Sequence, residues 1–224
     1  MPVHPFSIAI DGPAGAGKST IAKALAARLD AMYLDTGAMY RAIGLYMLRR
    51  NLLKDPEGIA RHVGEVDLRV EYLDGTQHLF LGEEDVSEAI REPAVSMAAS
   101  DVSAVPEVRR RMVALQRQIA EGHDVVMDGR DIGTHVLPAA TLKIFLTASP
   151  EARAERRCRE LKEKGLSEPF EKVLQEIQTR DYQDTHRAES PLRQAEDAVL
   201  VDTSDLTLEE SIEAVLRLAI AAVR

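Results

Sequence analysis

The chain has one cysteine, one asparagine and no run of 18 apolar residues. A lone Cys158 cannot close an internal disulfide. Among Arg156, Arg157 and Arg159 it is expected to be a structural thiol, because a reactive one needs exposure as well as a positive setting. The first residues, MPVHPFSIAID, hold no charged stretch followed by a long apolar run, so the expectation is a soluble cytoplasmic protein with no membrane contact. Positive charge is scarce as well: 28 Lys and Arg stand against 37 Asp and Glu, a net charge of −9 that opposes a nucleic-acid backbone. The six histidines show no metal-ligand spacing and no paired-base arrangement, which leaves surface or loop roles. Repeats and low-complexity linkers are lacking. What remains is 224 residues, 45% hydrophobic, enough for one well-filled core with small inserted lobes.

That core reads as a parallel α/β sheet. FSIAID (6–11), AMYLD (31–35), DVVMD (124–128), LKIFLTA (142–148) and AVLVDT (198–203) are almost continuously apolar, as strands covered on both faces are. Helical spacing falls between them at 37–50, 106–121, 150–165, 169–187 and 207–222. LRVEYLDGTQHLFL alternates around Asp74-Gly75, a hairpin signal, and the stretch after it to Ser100 is short and polar. Residues 60–100 are therefore expected to be an inserted lobe. The charged region from Lys162 to Arg193, bounded by Pro169 and Pro191, reads as a helical excursion, either a mobile lid or a charged surface helix pair. Met32, Met39, Met47, Met97 and Met112 fall at apolar positions and are expected in the core.

Between the first strand and the first helix stands Gly12-Pro13-Ala14-Gly15-Ala16-Gly17-Lys18-Ser19, a full match to G-x-x-x-x-G-K-[ST] in the context that supports it. Glycines let backbone N–H groups turn inward around an oxyanion, the helix N-terminus adds its dipole, and Lys18 adds a point charge. Ser19 offers its hydroxyl to Mg²⁺, and Thr20 completes the ATP-binding stretch. Asp128 ends an apolar strand; it orients Mg²⁺ through water or merely starts the turn before Gly129, and the sequence does not choose.

A phosphate loop does not name the acceptor, but the arginines narrow it. A phosphate monoester is already ionised near pH 7, its second pKa being about 6, so it needs no general base. The harder task is bringing two anions together, on the order of 4 kcal/mol per charge pair at 4 Å with an effective dielectric of 20. Guanidinium groups answer that repulsion, and Arg41, Arg130, Arg180 and Arg187 stand at loop ends or in the charged excursion. A hydroxyl acceptor would instead need a carboxylate base, for which Asp35 is the candidate. A GTP-binding switch would need an Asn/Thr-Lys-x-Asp segment. Asn51 precedes Leu52 and no Thr-Lys pair exists.

Taken together, IDGPAGAGKST, YLDTGAMYR, EEDVSEAIR, AASDVSAVPEVRR, DGRDIGT, KIFLTASPEARAERR, RDYQDTHRAESPL and VDTS resemble the bacterial cytidylate kinases from end to end. The resemblance implies a single nucleoside monophosphate kinase domain: a five-stranded parallel core (1–60, 101–152, 191–224), a nucleotide-monophosphate lobe (60–100) and a lid (153–190). It implies ATP and CMP or dCMP as substrates, Mg²⁺ as cofactor and a monomer. Positions matching Arg41, Arg130 and Arg187 hold phosphates in that family. Those matching Ser100, Arg109 and Asp131 face cytosine, Asp184 lies near the ribose, and Arg180 bridges both substrates from the lid. Thr36 keeps the hydroxyl of a serine-or-threonine position. Of Arg109-Arg110-Arg111 only Arg109 has a proposed ligand; otherwise the trio reads as a solvated helix face or a nucleic-acid patch, and the neighbouring acids and the net charge weigh against the patch.

Overall fold

The computed structural model describes residues 5–163 and 165–223. In chain order its elements are β1 (Ser7–Asp11), α1 (Lys18–Leu29), β2 (Met32–Asp35), α2 (Thr36–Arg49), α3 (Pro56–His62), β3 (Leu68–Leu73), β4 (Thr76–Leu81), β5 (Glu84–Asp85), α4 (Pro93–Ser103) and α5 (Pro106–Ala120). After these come β6 (Val125–Gly129), β7 (Leu142–Thr147), α6 (Pro150–Glu163), α7 (Phe170–His186), β8 (Val199–Asp202) and α8 (Leu208–Val223). All five expected core strands form and share one sheet in the order β2-β6-β1-β7-β8. β1 pairs in parallel with β6 and β7, and β7 with β8. Because β1 connects toward β2 on one side of the sheet while β6 connects across to β7 on the other, the carboxyl ends of β1 and β6 lie at a switch point, where open α/β sheets present their ligand crevice.

The chain divides into two compact units, one of residues up to Tyr33 and from Gly122 onward, the other Leu34–Glu121. In the first, Ile8 and Ile10 of β1, Val126 of β6 and Ile144 of β7 pack against Ile21 and Leu25 of α1 and Val215 of α8. Each fully buried aliphatic side chain is worth about 1.5–3 kcal/mol over its exposed state, so apolar area docks α1 and α8. α7 differs: Val173 is its one buried residue. Gly12, following β1, has φ +151, and a Cβ there would lie 1.9 Å from the Leu146 carbonyl oxygen of β7. Only glycine lets the loop leave the strand so close to its neighbour.

The second unit carries the hairpin β3–β4 and short β5. Leu73 pairs with Thr76, leaving Asp74 and Gly75 as a two-residue turn with both φ positive, as a type I′ turn requires. Beyond it the expected polar connection is in part a helix: PAVSMAASDVS opens with Pro93 in the first turn and is rich in alanine, so α4 forms. Met39, Met47 and Met112 are buried as expected, but Met97 is 72% exposed, because it lies on the face of α4 opposite Val95, Ala98, Ala99 and Val102. Among the described residues no helix is long and apolar enough to cross a membrane.

Candidate active site

In the first unit the phosphate loop runs from β1 into α1, with Gly17 at positive φ as the helix N-cap. Lys18, 5% exposed, donates from Nζ to the Pro13 carbonyl oxygen at 2.7 Å. Ser19 Oγ donates to Asp128 Oδ2 at 2.8 Å, and the Tyr33 hydroxyl donates to Oδ1 at 2.9 Å, so both oxygens of this strand-end carboxylate are held. Asp11, paired across the sheet with Gly129, accepts the backbone N–H groups of Ile132 and Gly133 at 2.8 and 2.7 Å. These bonds anchor a single π-helical turn, Ile132–Val136, directly after Arg130 and Asp131.

The electrostatics of this cluster set burial against paired charge. Burial, and after it the nearby Arg130 charge, lower Lys18 to about 7, against the pull of Asp128, Asp184 and Asp11. Burial raises Asp11 to about 6, opposed by its two backbone hydrogen bonds, with Asp131 adding to the rise and Lys18 opposing it. Burial works against the Arg130 charge too, but Asp184, Asp128 and Asp11 outweigh it and its pKa rises.

α7 meets this cluster through charge. Arg130 Nε donates to Asp184 Oδ2 at 2.7 Å. Burial alone would raise Asp184, but Arg130, Arg180 and Arg187 together hold it below the ordinary carboxylate value. Arg187 lies 3.8 Å from Asp131 and 4.0 Å from Asp184, and donates from Nε and Nη2 to the Ser190 carbonyl oxygen. It stands one residue past α7, with extended backbone, so it is presented from the helix end while Arg180 is presented from within the helix.

The second unit gathers other candidates. Asp35 caps α2 by accepting the Ala38 N–H at 2.8 Å, and its second oxygen accepts from Arg41 Nη2 at 2.9 Å. Thr36, the first residue of α2, is buried. Gln77 of β4 brackets Asp35, its Oε1 accepting the Asp35 N–H at 2.7 Å and its Nε2 donating to the Asp35 carbonyl at 3.3 Å. Arg109, 4% exposed, donates to the Ser103 carbonyl at 3.4 Å and lies 5.7 Å over the Tyr40 ring, while Ser103 Oγ donates to the Ser100 carbonyl at 2.9 Å.

A family model described as "Cytidylate kinase" matches residues 8–221. The chain belongs to the cytidylate kinase family. Among relatives carrying the name cytidylate kinase, one from Caldicellulosiruptor bescii is 52% identical over 95% of each chain. One from Caldanaerobacter subterraneus subsp. tengcongensis is 57% identical over 93% of this chain and 92% of its own. One from Nocardia farcinica is 52% identical over 95% of this chain and 93% of its own.

Within this cytidylate kinase fold the first unit brings together Lys18, Ser19, Arg130, Asp131, Asp184 and Arg187, and the second holds Thr36, Arg41, Ser100 and Arg109. Asp35, the candidate base for a hydroxyl acceptor, has both carboxylate oxygens engaged by the helix cap and by Arg41. Asp128 is ambiguous by sequence, and Asp11, Tyr33 and Gln77 are additions that the structure makes to the site. Asp11 and Asp128 share a readable signal, an acidic residue closing an apolar strand before a glycine. Tyr33 and Gln77 have none, since their partners are 95 and 42 residues away.

Proposed function

We propose that the protein transfers the γ-phosphoryl group of ATP to CMP or dCMP, giving ADP and CDP or dCDP. One observation carries the reading beyond the family: buried Lys18 and half-buried Arg130 lie within each other's field, beside the phosphate loop and at the end of the neighbouring strand. Two such cations repel in a protein interior, and a phosphate brought between them turns that repulsion into attraction. An acceptor that is itself a phosphate needs charge compensation and alignment from its enzyme and no proton abstraction.

The loop of residues 12–20 binds the ATP phosphates, Lys18 following the transferred group. Arg130, Arg180 and Arg187 offset the charge of the two approaching phosphates, and Arg41 holds the CMP phosphate. Ser100, Arg109 and Asp131 read cytosine, Thr36 supports the nucleotide, and Asp184 serves the ribose. Ser19 Oγ and Asp128 Oδ2 supply hard oxygen atoms beside the phosphate loop, which suits Mg²⁺, with Ser19 as the direct ligand and Asp128 orienting through water. Bound there, Mg²⁺ would neutralise charge on the ATP phosphates. We read the protein as a cytoplasmic monomer acting on free nucleotides. A coupled ADP-release assay with ATP, Mg²⁺ and a panel of CMP, dCMP, UMP, AMP and shikimate tests the assignment. Turnover with CMP and dCMP well above the rest is expected; equal turnover across the panel, or a preference for the alcohol, overturns it.

A further inference from the structure

Arg153, the fourth residue of α6, has no part in the chemistry described so far, yet it is 3% exposed and makes four hydrogen bonds through its guanidinium. Its Nε donates to the Ala148 carbonyl after β7 at 2.9 Å, and Nη1 donates to the Ala14 carbonyl of the phosphate loop at 3.0 Å. Nη1 and Nη2 also meet Asp181 of α7 in a fork, at 2.9 and 2.6 Å. The aliphatic stem underlies the loop: a Cβ on Gly15 would sit 3.6 Å from Arg153 Cβ. One guanidinium thus touches the phosphate loop on one side and the lid helix on the other.

Asp181 begins a row at three-residue spacing, Asp181, Asp184 and Arg187, whose partners are Arg153, Arg130 and Asp131. With Val173 its one buried residue, α7 has little apolar area to fix its position along its axis. A slip by one residue moves side chains about 1.5 Å along the helix and turns them about 100°, enough to part Asp184 from Arg130. Errors near 1 Å in positioning can cost about 10²-fold in rate. Buried ion pairs add little net stability compared with apolar replacements, and their best-attested use is to set register.

We propose that Arg153 and Asp181 form a register-setting pair that holds α7 to the phosphate loop, so that Asp184 and Arg187 meet Arg130 and Asp131. Both are positioning residues: neither touches the transferred phosphate, and each acts through the placement of the arginines. The inference rests on the phosphotransfer reading above.

The test uses the full-length protein with Asp181→Asn, the apolar double variant Arg153→Met/Asp181→Leu, and Asp181→Asn combined with Arg187→Ala. Melting temperature, kcat, KM and the Kd of ATP without CMP are measured for each. The double variant is expected to melt within a few degrees of wild type, lose about tenfold or more in kcat, and keep its ATP Kd within about threefold. Asp181→Asn should lower kcat in the wild-type background and have a much smaller effect once Arg187 is gone, because it acts through that residue. Should the double variant fail to fold, Asp181→Asn decides, its carboxylate being partly exposed. Near-wild-type kcat in Asp181→Asn, or an equal loss in both backgrounds, overturns the proposal. Failure of the phosphotransfer reading shows separately, as absent CMP-dependent turnover in the wild-type protein.

Discussion

Arg130 and Asp184 stand 2.7 Å apart, joining the end of the strand beside the phosphate loop to the last turns of α7. The pair keeps a guanidinium charged in a place where burial opposes charge, and Arg180 and Arg187 face the same carboxylate. Four charged groups thus share one locus, which is where the proposed function places the nucleotide phosphates.

Lys18→Met separates function from stability. Turnover is expected to fall by about two to four decades, since the charge following the phosphoryl group is gone. The ligand-free variant should nevertheless melt about 2–5 °C above wild type at pH 7, because a buried cation is removed. Lys18 titrates near 7 when folded, below its unfolded value of 10.5, so the unfolded chain binds more protons between those limits. Wild-type stability therefore gains from this group as pH rises through that window, and the advantage of the variant narrows. Calorimetry at pH 7 and 9.5 checks the sign; a gap that widens would contradict it.

Arg180→Ala and Arg187→Ala are each expected to cost on the order of 10²-fold or more in kcat, with ATP affinity in the absence of CMP changed by less than about tenfold. Lysine should rescue only in part, restoring charge without the planar fork. Steady-state kinetics beside an equilibrium ATP titration checks this. Near-normal kcat in both alanine variants would place the compensating charge elsewhere.

Cytosine presents an amine donor where uracil presents an acceptor, so the proposed readers should enforce a difference. Wild type is expected to favour CMP over UMP in kcat/KM by up to about 10⁴-fold, and Asp131→Asn, Arg109→Met or Ser100→Ala should each erode the ratio. Competition between CMP and UMP in one reaction measures it directly. An unchanged ratio in all three variants would remove these residues from base recognition.

Tyr33→Phe deletes one of the two hydroxyls that hold Asp128. The Mg²⁺ concentration for half-maximal activity should rise about three- to tenfold, while binding of ATP measured without metal stays unchanged. Metal titration followed both by turnover and by nucleotide fluorescence distinguishes this from a general loss of fold. Equal metal dependence in the two proteins would mean that Tyr33 only packs.

Much of this molecule was determined by sequence alone, for a local reason. The phosphate loop, the five core strands, the Asp74-Gly75 hairpin and most helices depend on φ freedom, apolar period and turn chemistry within a few residues of each other, and all of them form. Where local signals are weak or double, the sequence points elsewhere: the stretch that forms α4 has the look of a polar connection and Met97 that of a core residue, because an alanine-rich stretch does not state which of its faces is covered. Tertiary structure alone decided the fate of the acidic strand ends. The β1–β6 register sets Asp11 beside Gly129 and Ile10 beside Asp128, which brings Asp11 under the backbone of Ile132 and Asp128 between Ser19 and Tyr33. The same holds for Arg153, one arginine in a charged helix by sequence, which becomes a buried junction because β7 delivers α6 beneath the phosphate loop. Hydrogen-bond partners 28 to 139 residues apart are chosen by how strands stack and helices dock, and no short-range pattern encodes that choice.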